Sequence, residues 1–286
     1  MTTKGILMSG PMVRGLLDDL KTQTRRVLRR QPNPKCTEAF QGADGIWRFS
    51  RPTALDPISY SDDDMVTPYL VGDRLYVREA HAYHGTGWCN QTPDETKVRV
   101  EYLADNQDVE FIVPTKDVEN FIPKQNKPKS LMVEEVTGDS DYDRALAQEN
   151  WLADWWTRQK KRPPMFMFRH WSRLWLEVTD VRVQRVQDIT EEDAFWEGIK
   201  RLREGERQHQ SHYRFEYREL WDSLNAKPKP VYVLGSEDKK VISHYISYPW
   251  GGERRHENYR GKIHYIEPNP WVAAYTFTVH RGNVDG

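Results

Sequence analysis

Two cysteines, Cys36 and Cys89, are all that 286 residues contain, and no CxxC or Cys-His spacing surrounds either. A zinc site built on thiolates is therefore not expected, and so low a count suits a reducing cytoplasm. A dominant charge of one sign is missing as well: 42 Lys and Arg stand against 43 Asp and Glu, for a formal net charge of -1. That balance excludes a polycation, so any contact with nucleic acid has to come from local basic patches such as Lys21 to Arg30. No apolar run is long enough to span a bilayer and the N-terminus carries no signal-peptide pattern. The expectation is a cytoplasmic protein with no membrane partner. Internal repeats are absent. His81, His84, His244, His256 and His264 are scattered among predicted loops and insertions, whereas a metal site needs three or four converging ligands, so neither a metal nor another cofactor is expected.

What the chain does have is polarity and tryptophan. Apolar residues make up 37 % and charged residues 30 % of a length sufficient for one large domain or two ordinary ones. Long polar insertions on a compact core produce that combination. Tryptophan occurs 11 times, often beside a cation: Trp47-Arg48, Trp171-Ser172-Arg173, and Trp250 before Arg254-Arg255. Core packing accounts for some of these rings, and base stacking in a basic groove would account for others.

The densest chemistry lies early. Val13, Leu16, Leu17 and Leu20 fall at helical spacing, which predicts a helix from Pro11, at its first position, to about Leu20. Lys21-Thr22-Gln23-Thr24-Arg25-Arg26 then packs an amine, two hydroxyls and two guanidiniums into six residues. If the helix continues, Lys21 and Thr24 share a face, and a lysine with a lowered pKa can take the proton of a hydroxyl that is otherwise a poor nucleophile. A solvated basic helix end and a phosphate-binding patch are the competing readings of the same residues. Neither Lys21 nor Thr24 is expected to carry the core.

Downstream, only Ile46 to Phe49 reads as a strand within the loop-rich stretch after Arg30. A turn at Gly72-Asp73 leads into the alternating strand Arg74 to Arg78. Val98 to Tyr102 and Val109 to Val113 suit a hairpin across Ala104 to Asp108. Asp141 to Gln159 is helix-compatible. A second basic and aromatic stretch, Lys160 to Arg173, offers Arg169, Trp171 and Arg173 as candidate substrate-binding residues. Leu174 to Val186 holds two successive strand patterns. Thr190 is a good N-cap with Asp193 three residues on, and Gly198 suits the helix stop. A charged helix over Arg201 to Arg218 is expected to become buried at Phe215, Leu220, Trp221 and Leu224, before Lys227-Pro228-Lys229-Pro230 breaks it. Pro270 to Val279 is a closing strand.

Four of these pieces in this order, the Lys21-Thr-x-Thr24-x-Arg26 stretch, the Gly72-Asp-x-Leu-x-Val strand, the Asp188-Ile-Thr-Glu-Glu-Asp-Ala helix ending in Glu197-Gly198, and the terminal Trp271-Val…Phe277 strand, resemble the ASCH domain. That domain belongs to the PUA-like superfamily, and the likeness extends to phage- and prophage-encoded members. The resemblance implies an α+β fold: a PUA-like β-barrel with flanking helices, here one domain over residues 1-286 with insertions at about 31-70, 81-165 and 200-265. It also implies an amidohydrolase that removes an acyl group from an N4-acylated cytosine nucleoside, as small bacterial ASCH enzymes do with N4-acetylcytidine. The family's lysine, threonine and glutamate fall on Lys21, Thr24 and Glu197. Lys21 would activate Thr24 as nucleophile, Glu197 would orient the lysine or protonate the leaving amine, and Arg25 or Arg26 would hold a phosphate or the base carbonyl. Other members imply a plain binder of RNA or single-stranded nucleic acid, or a ribonuclease.

Overall fold

A computed structural model describes residues 2-50, 67-85, 95-114, 161-199, 212-234 and 239-285. The expected Asp141 to Gln159 helix, Cys89 and residues 201-211 of the expected charged helix lie outside them. Strands β1 (Thr3–Leu7), β2 (Gln23–Val27), β5 (Arg74–Arg78), β9 (Leu174–Arg185) and β14 (Trp271–Arg281) form one sheet in the order β1-β5-β9-β14-β2. The class is α+β, as expected. The sheets seen among the described residues are open, and none closes into a barrel.

The chain divides into two compact units: Met1–Lys4, Gly15–Leu75 and Leu176–His280 form the first, and Gly5–Arg14, Tyr76–Trp175 and Arg281–Gly286 the second. In the first unit β2 runs antiparallel to β14, with Thr24 opposite Tyr275 and Arg25 opposite Ala274. Side chains alternate along a strand, so Gln23, Arg25 and Val27 occupy one set of positions and Thr24 and Arg26 the other. Val27 and Val272 pack with Val186, Ile189, Ala194, Ile199, Tyr217 and Trp221. These residues join the sheet to the helices α2 (Glu191–Trp196) and α3 (His212–Asn225). At alternate positions of β14, Trp271 meets Phe49 edge-on and Tyr275 meets Tyr69. Phe49 belongs to the hairpin β3 (Glu38–Gln41) and β4 (Trp47–Ser50), of which only β4 is legible as a strand in the sequence. A further sheet, in the order β10 (Lys229–Leu234), β11 (Lys240–Ser247), β13 (Lys262–Ile266), β12 (Arg255–Tyr259), occupies much of the third predicted insertion.

The apolar face of α3 differs from expectation. Trp221 is buried as expected and Tyr217 is buried with it, whereas Phe215 and Leu224 are exposed. The helix is held by α2: the Glu191 carboxylate accepts the Tyr213 and Arg214 backbone N–H groups, which have no partner within the first turn of α3. The two strand patterns of Leu174 to Val186 are one long strand, β9. Its burial phase shifts at Thr179-Asp180, where two successive residues are exposed.

The second unit contains the sheet β6 (His81–Gly85), β7 (Glu95–Tyr102), β8 (Gln107–Pro114). The β7-β8 hairpin forms as expected, turning at Asn106 with φ 58°. Val98, Val100, Tyr102, Met167 and Trp171 make its core.

Candidate functional site

The early helix ends sooner than its apolar spacing predicts. Helix α1 (Gly10–Leu17) stops because Asp19 adopts φ 54°. The Asp19 N–H then donates to the Leu16 carbonyl and the Leu20 N–H to the Gly15 carbonyl, a Schellman stop built without glycine. Lys21 and Thr24 therefore do not share a helical face. Lys21 bridges to Glu197 in antiparallel fashion, the Thr22 N–H donates to the Trp196 carbonyl, and the chain then enters β2.

That route buries Lys21 completely, at 1 % exposure, among the largest fully buried side chains of the described residues. It is part of the core, contrary to expectation. Two glycines make room for its stem. A Cβ on Gly15 would lie 3.3 Å, and one on Gly198 3.1 Å, from the Lys21 Cβ. Gly198 also has φ +86°, so the residue that stops α2 also clears the lysine's path.

At the end of the stem, Lys21 Nζ donates to Glu197 Oε2 and to the Glu197 carbonyl, each at 2.8 Å. The other carboxylate oxygen, Oε1, accepts from Arg25 at 3.0 Å. Arg25 also donates to Asp193 Oδ2 at 2.8 Å, and Arg182 to Asp193 Oδ1 at 2.9 Å. Gln23 Oε1 accepts from both Arg25 and Arg182, at 3.3 and 3.4 Å. Three cations thus share two carboxylates. Burial drives the Lys21 ammonium below its ordinary pKa. The Glu197 charge and hydrogen bond oppose the shift, and the Arg26 and Arg25 charges add to it. For Asp193, burial alone raises the pKa, but the hydrogen bond from Arg182 and the charges of Arg25 and Arg182 outweigh it and hold the carboxyl below the usual range. Tyr217 is pushed well upward, first by burial and then by the Glu197 charge.

Of the residues picked out in the sequence, Lys21, Arg25 and Glu197 come together in this cluster. Thr24 is buried at 1 % exposure on β2, at the alternate position, opposite Tyr275. Arg26 is half-buried two residues further on, opposite Ala273. The remaining three belong to the second unit. Trp171 is wholly buried in that unit's core, with edge contacts to His81 and Phe168. Arg169 pairs with Asp285. Arg173 grips Glu79 through two bonds, at 2.9 and 3.0 Å, also binds Asp105, and lies 4.1 Å over the Tyr102 ring.

Gln23, Arg182 and Asp193 are cluster members that the sequence reading passed over as site residues. The alternation of β2 puts Gln23 with Arg25, and the capping position of Asp193 places it one turn before Glu197. Among the described residues no group of three His, Cys, Asp or Glu is arranged to hold a metal ion, and no helix is long and apolar enough to cross a membrane. Compared with known proteins, the chain matches no family model, no curated protein and no solved structure.

Proposed function

We propose that the chain is an ASCH-type amidohydrolase built on a PUA-like fold, releasing the acyl group of an N4-acylated cytosine nucleoside or a related modified base. The observation that carries this reading is the Lys21-Glu197 contact. Two residues 176 positions apart, paired on the resemblance alone, meet at 2.8 Å in a buried site. A neutral Lys21 amine has two N–H groups, and its two bonds both go to Glu197, which leaves the nitrogen lone pair to accept a proton. The downward shift of Lys21 favours the neutral amine that a general base requires. In the mechanism the resemblance implies, the Thr24 hydroxyl attacks the acyl carbon and its proton passes to neutral Lys21. Thr24 sits at the β2 position alternate to the cluster, so this transfer runs through the bound substrate or a water that bridges the two side chains. The N4 amine leaves carrying that proton, and water then cleaves the acyl-threonine ester to release the carboxylic acid.

A second reading draws on the same burial. Lys21, Thr24, Arg25 and Glu197 are each at most 6 % exposed, and an ion cluster so deeply buried also suits a scaffold that binds RNA or a modified base without chemistry. An assay of N4-acetylcytidine hydrolysis separates the two. Lys21→Met keeps the buried volume and leaves Glu197 its bond from Arg25, while Thr24→Val removes only the hydroxyl. Both variants are expected to remain folded and to lose turnover by about two orders of magnitude or more. Absence of turnover in the wild-type protein across a panel of N4-acylcytosines, or full activity in either variant, sinks the amidohydrolase.

A further inference from the structure

A pocket of about 700 Å³ opens in the first unit, and none of the Lys21 cluster lines it. Its volume lies within the range of about 300–1,000 Å³ typical of small-ligand sites. Arg29, Arg185 and Arg254 all line it, with Glu267 as the one carboxylate.

The three cations are not equivalent. Arg254 is neutralised by Glu267, at 2.7 Å. Arg185, at the end of β9, is fixed by neutral groups: it donates to the Asn269 and Cys36 carbonyls at 3.0 and 3.2 Å, and its guanidinium lies 4.5 Å over the Trp271 ring. The Asp188 carboxylate accepts the backbone N–H of Arg185 at 3.2 Å. Burial works against the Arg185 cation, the Asp188 charge supports it, and Arg254 adds to the penalty. Arg29 is exposed, and no hydrogen bond or ion pair of its guanidinium is recorded among the described residues. Among the lining residues three guanidiniums stand against one carboxylate, so two of them lack a carboxylate partner within the lining.

The wall that carries Arg29 is tied down in advance. Gln31 donates to the Leu28 and Trp271 carbonyls, each at 3.0 Å, and accepts from the Trp271 N–H at 2.8 Å. A fixed, planar guanidinium without a carboxylate partner is what phosphate oxygens bind best, because the forked donors match two of them at once. The cavity is too large for a bare anion alone, and Tyr248 adds an aromatic residue to its lining.

We propose that this pocket binds the phosphate of a nucleotide, with Arg29 and Arg185 on the phosphate and the nucleoside filling the remaining space beside Tyr248. The phosphate would come either from a free mononucleotide or from a single strand. The site stands whether or not Lys21 is catalytic.

Titration calorimetry on the full chain with cytidine, cytidine 5′-monophosphate, inorganic phosphate and a single strand of about ten nucleotides tests it. The monophosphate is expected to bind at least about tenfold more tightly than cytidine. Arg29→Ala removes a side chain with no recorded internal bond, so its melting temperature should match wild type while phosphate-ligand affinity falls about tenfold. If a strand is the natural source, it should bind more tightly than the mononucleotide, and Arg29→Ala should reduce the salt slope of its affinity by about 0.7. Equal binding of cytidine and its monophosphate, no binding of any phosphate ligand, or wild-type affinity in a folded Arg29→Ala protein overturns the proposal.

Discussion

Lys21 sets the tightest constraint at the scale of single residues, because a charged side chain can be buried only where the chain leaves it both a path and a partner. The partner is Glu197, and the path runs between Gly15 and Gly198. Gly198 meets two demands at once, since it has φ +86° and a Cβ there would sit 3.1 Å from Lys21. Gly72 has the same φ, +86°, with nothing within 4 Å of where a Cβ would lie. Gly72→Ala should therefore cost only the left-handed backbone term, about 1 kcal/mol. Gly198→Ala should cost more, about 2 kcal/mol or above, because the packed Lys21 stem must also give way to the new methyl. Urea denaturation of the two variants under one set of conditions measures the difference. Equal losses would mean that the contact at Lys21 is slack and that Gly198 serves only to stop its helix.

Elements position this chemistry through their ends. Helix α2 is a short one, yet its first turn is capped by Thr190, whose hydroxyl accepts the Asp193 N–H at 3.0 Å, and its last turn delivers Glu197. Its Glu191 in turn caps α3. Thr190→Ala is expected to lower stability by about 1 kcal/mol. The chemical-denaturation midpoint should move with no change in its slope, and a wild-type midpoint would show that packing alone holds α2. This cap and the Gly198 stop were legible in the sequence because both are local signals: Thr190 lies three residues before Asp193, and a glycine follows the last helical turn. The end of α1 was not legible, because Asp19 takes up a conformation that glycine usually marks and the apolar spacing runs on through Leu20. The exit into β2 then changes the period from 3.6 to 2, which parts Thr24 from Arg25 across the strand. The buried face of α3 is not legible for a related reason. Phe215 and Leu224 are as apolar as Tyr217 and Trp221, and only the position of the neighbouring sheet and α2 decides which of them is covered.

Across the whole molecule, charges of both signs nearly cancel, so pH should act through particular buried groups and not through net repulsion. Asp73 is such a group in the first unit. Its carboxylate accepts from Thr2 Oγ1 at 2.6 Å, the Leu70 N–H at 3.0 Å and Lys4 Nζ at 2.8 Å, binding the start of the chain to residues some seventy positions away. Burial alone would raise its pKa, but the bonds from Lys4, Thr2 and Leu70 prevail and bring it from 3.8 down to about 2. A folded-state pKa below the unfolded one contributes stability that is complete above 3.8 and is lost as pH falls through about 2. Glu79 has the opposite sign: burial leads in raising its pKa despite the Arg173 bonds, so protonation there favours the folded state as acid is added. The two effects separate by mutation. Asp73→Asn should lower the melting temperature at neutral pH and flatten the acid decline between 3.8 and about 2, because the variant has no proton to take up there. Thermal melts of wild type and variant across that window test it. If the two curves stay parallel down to the lowest pH, the carboxylate's charge contributes nothing to holding the N-terminal strand, and the acid loss must be assigned to other groups.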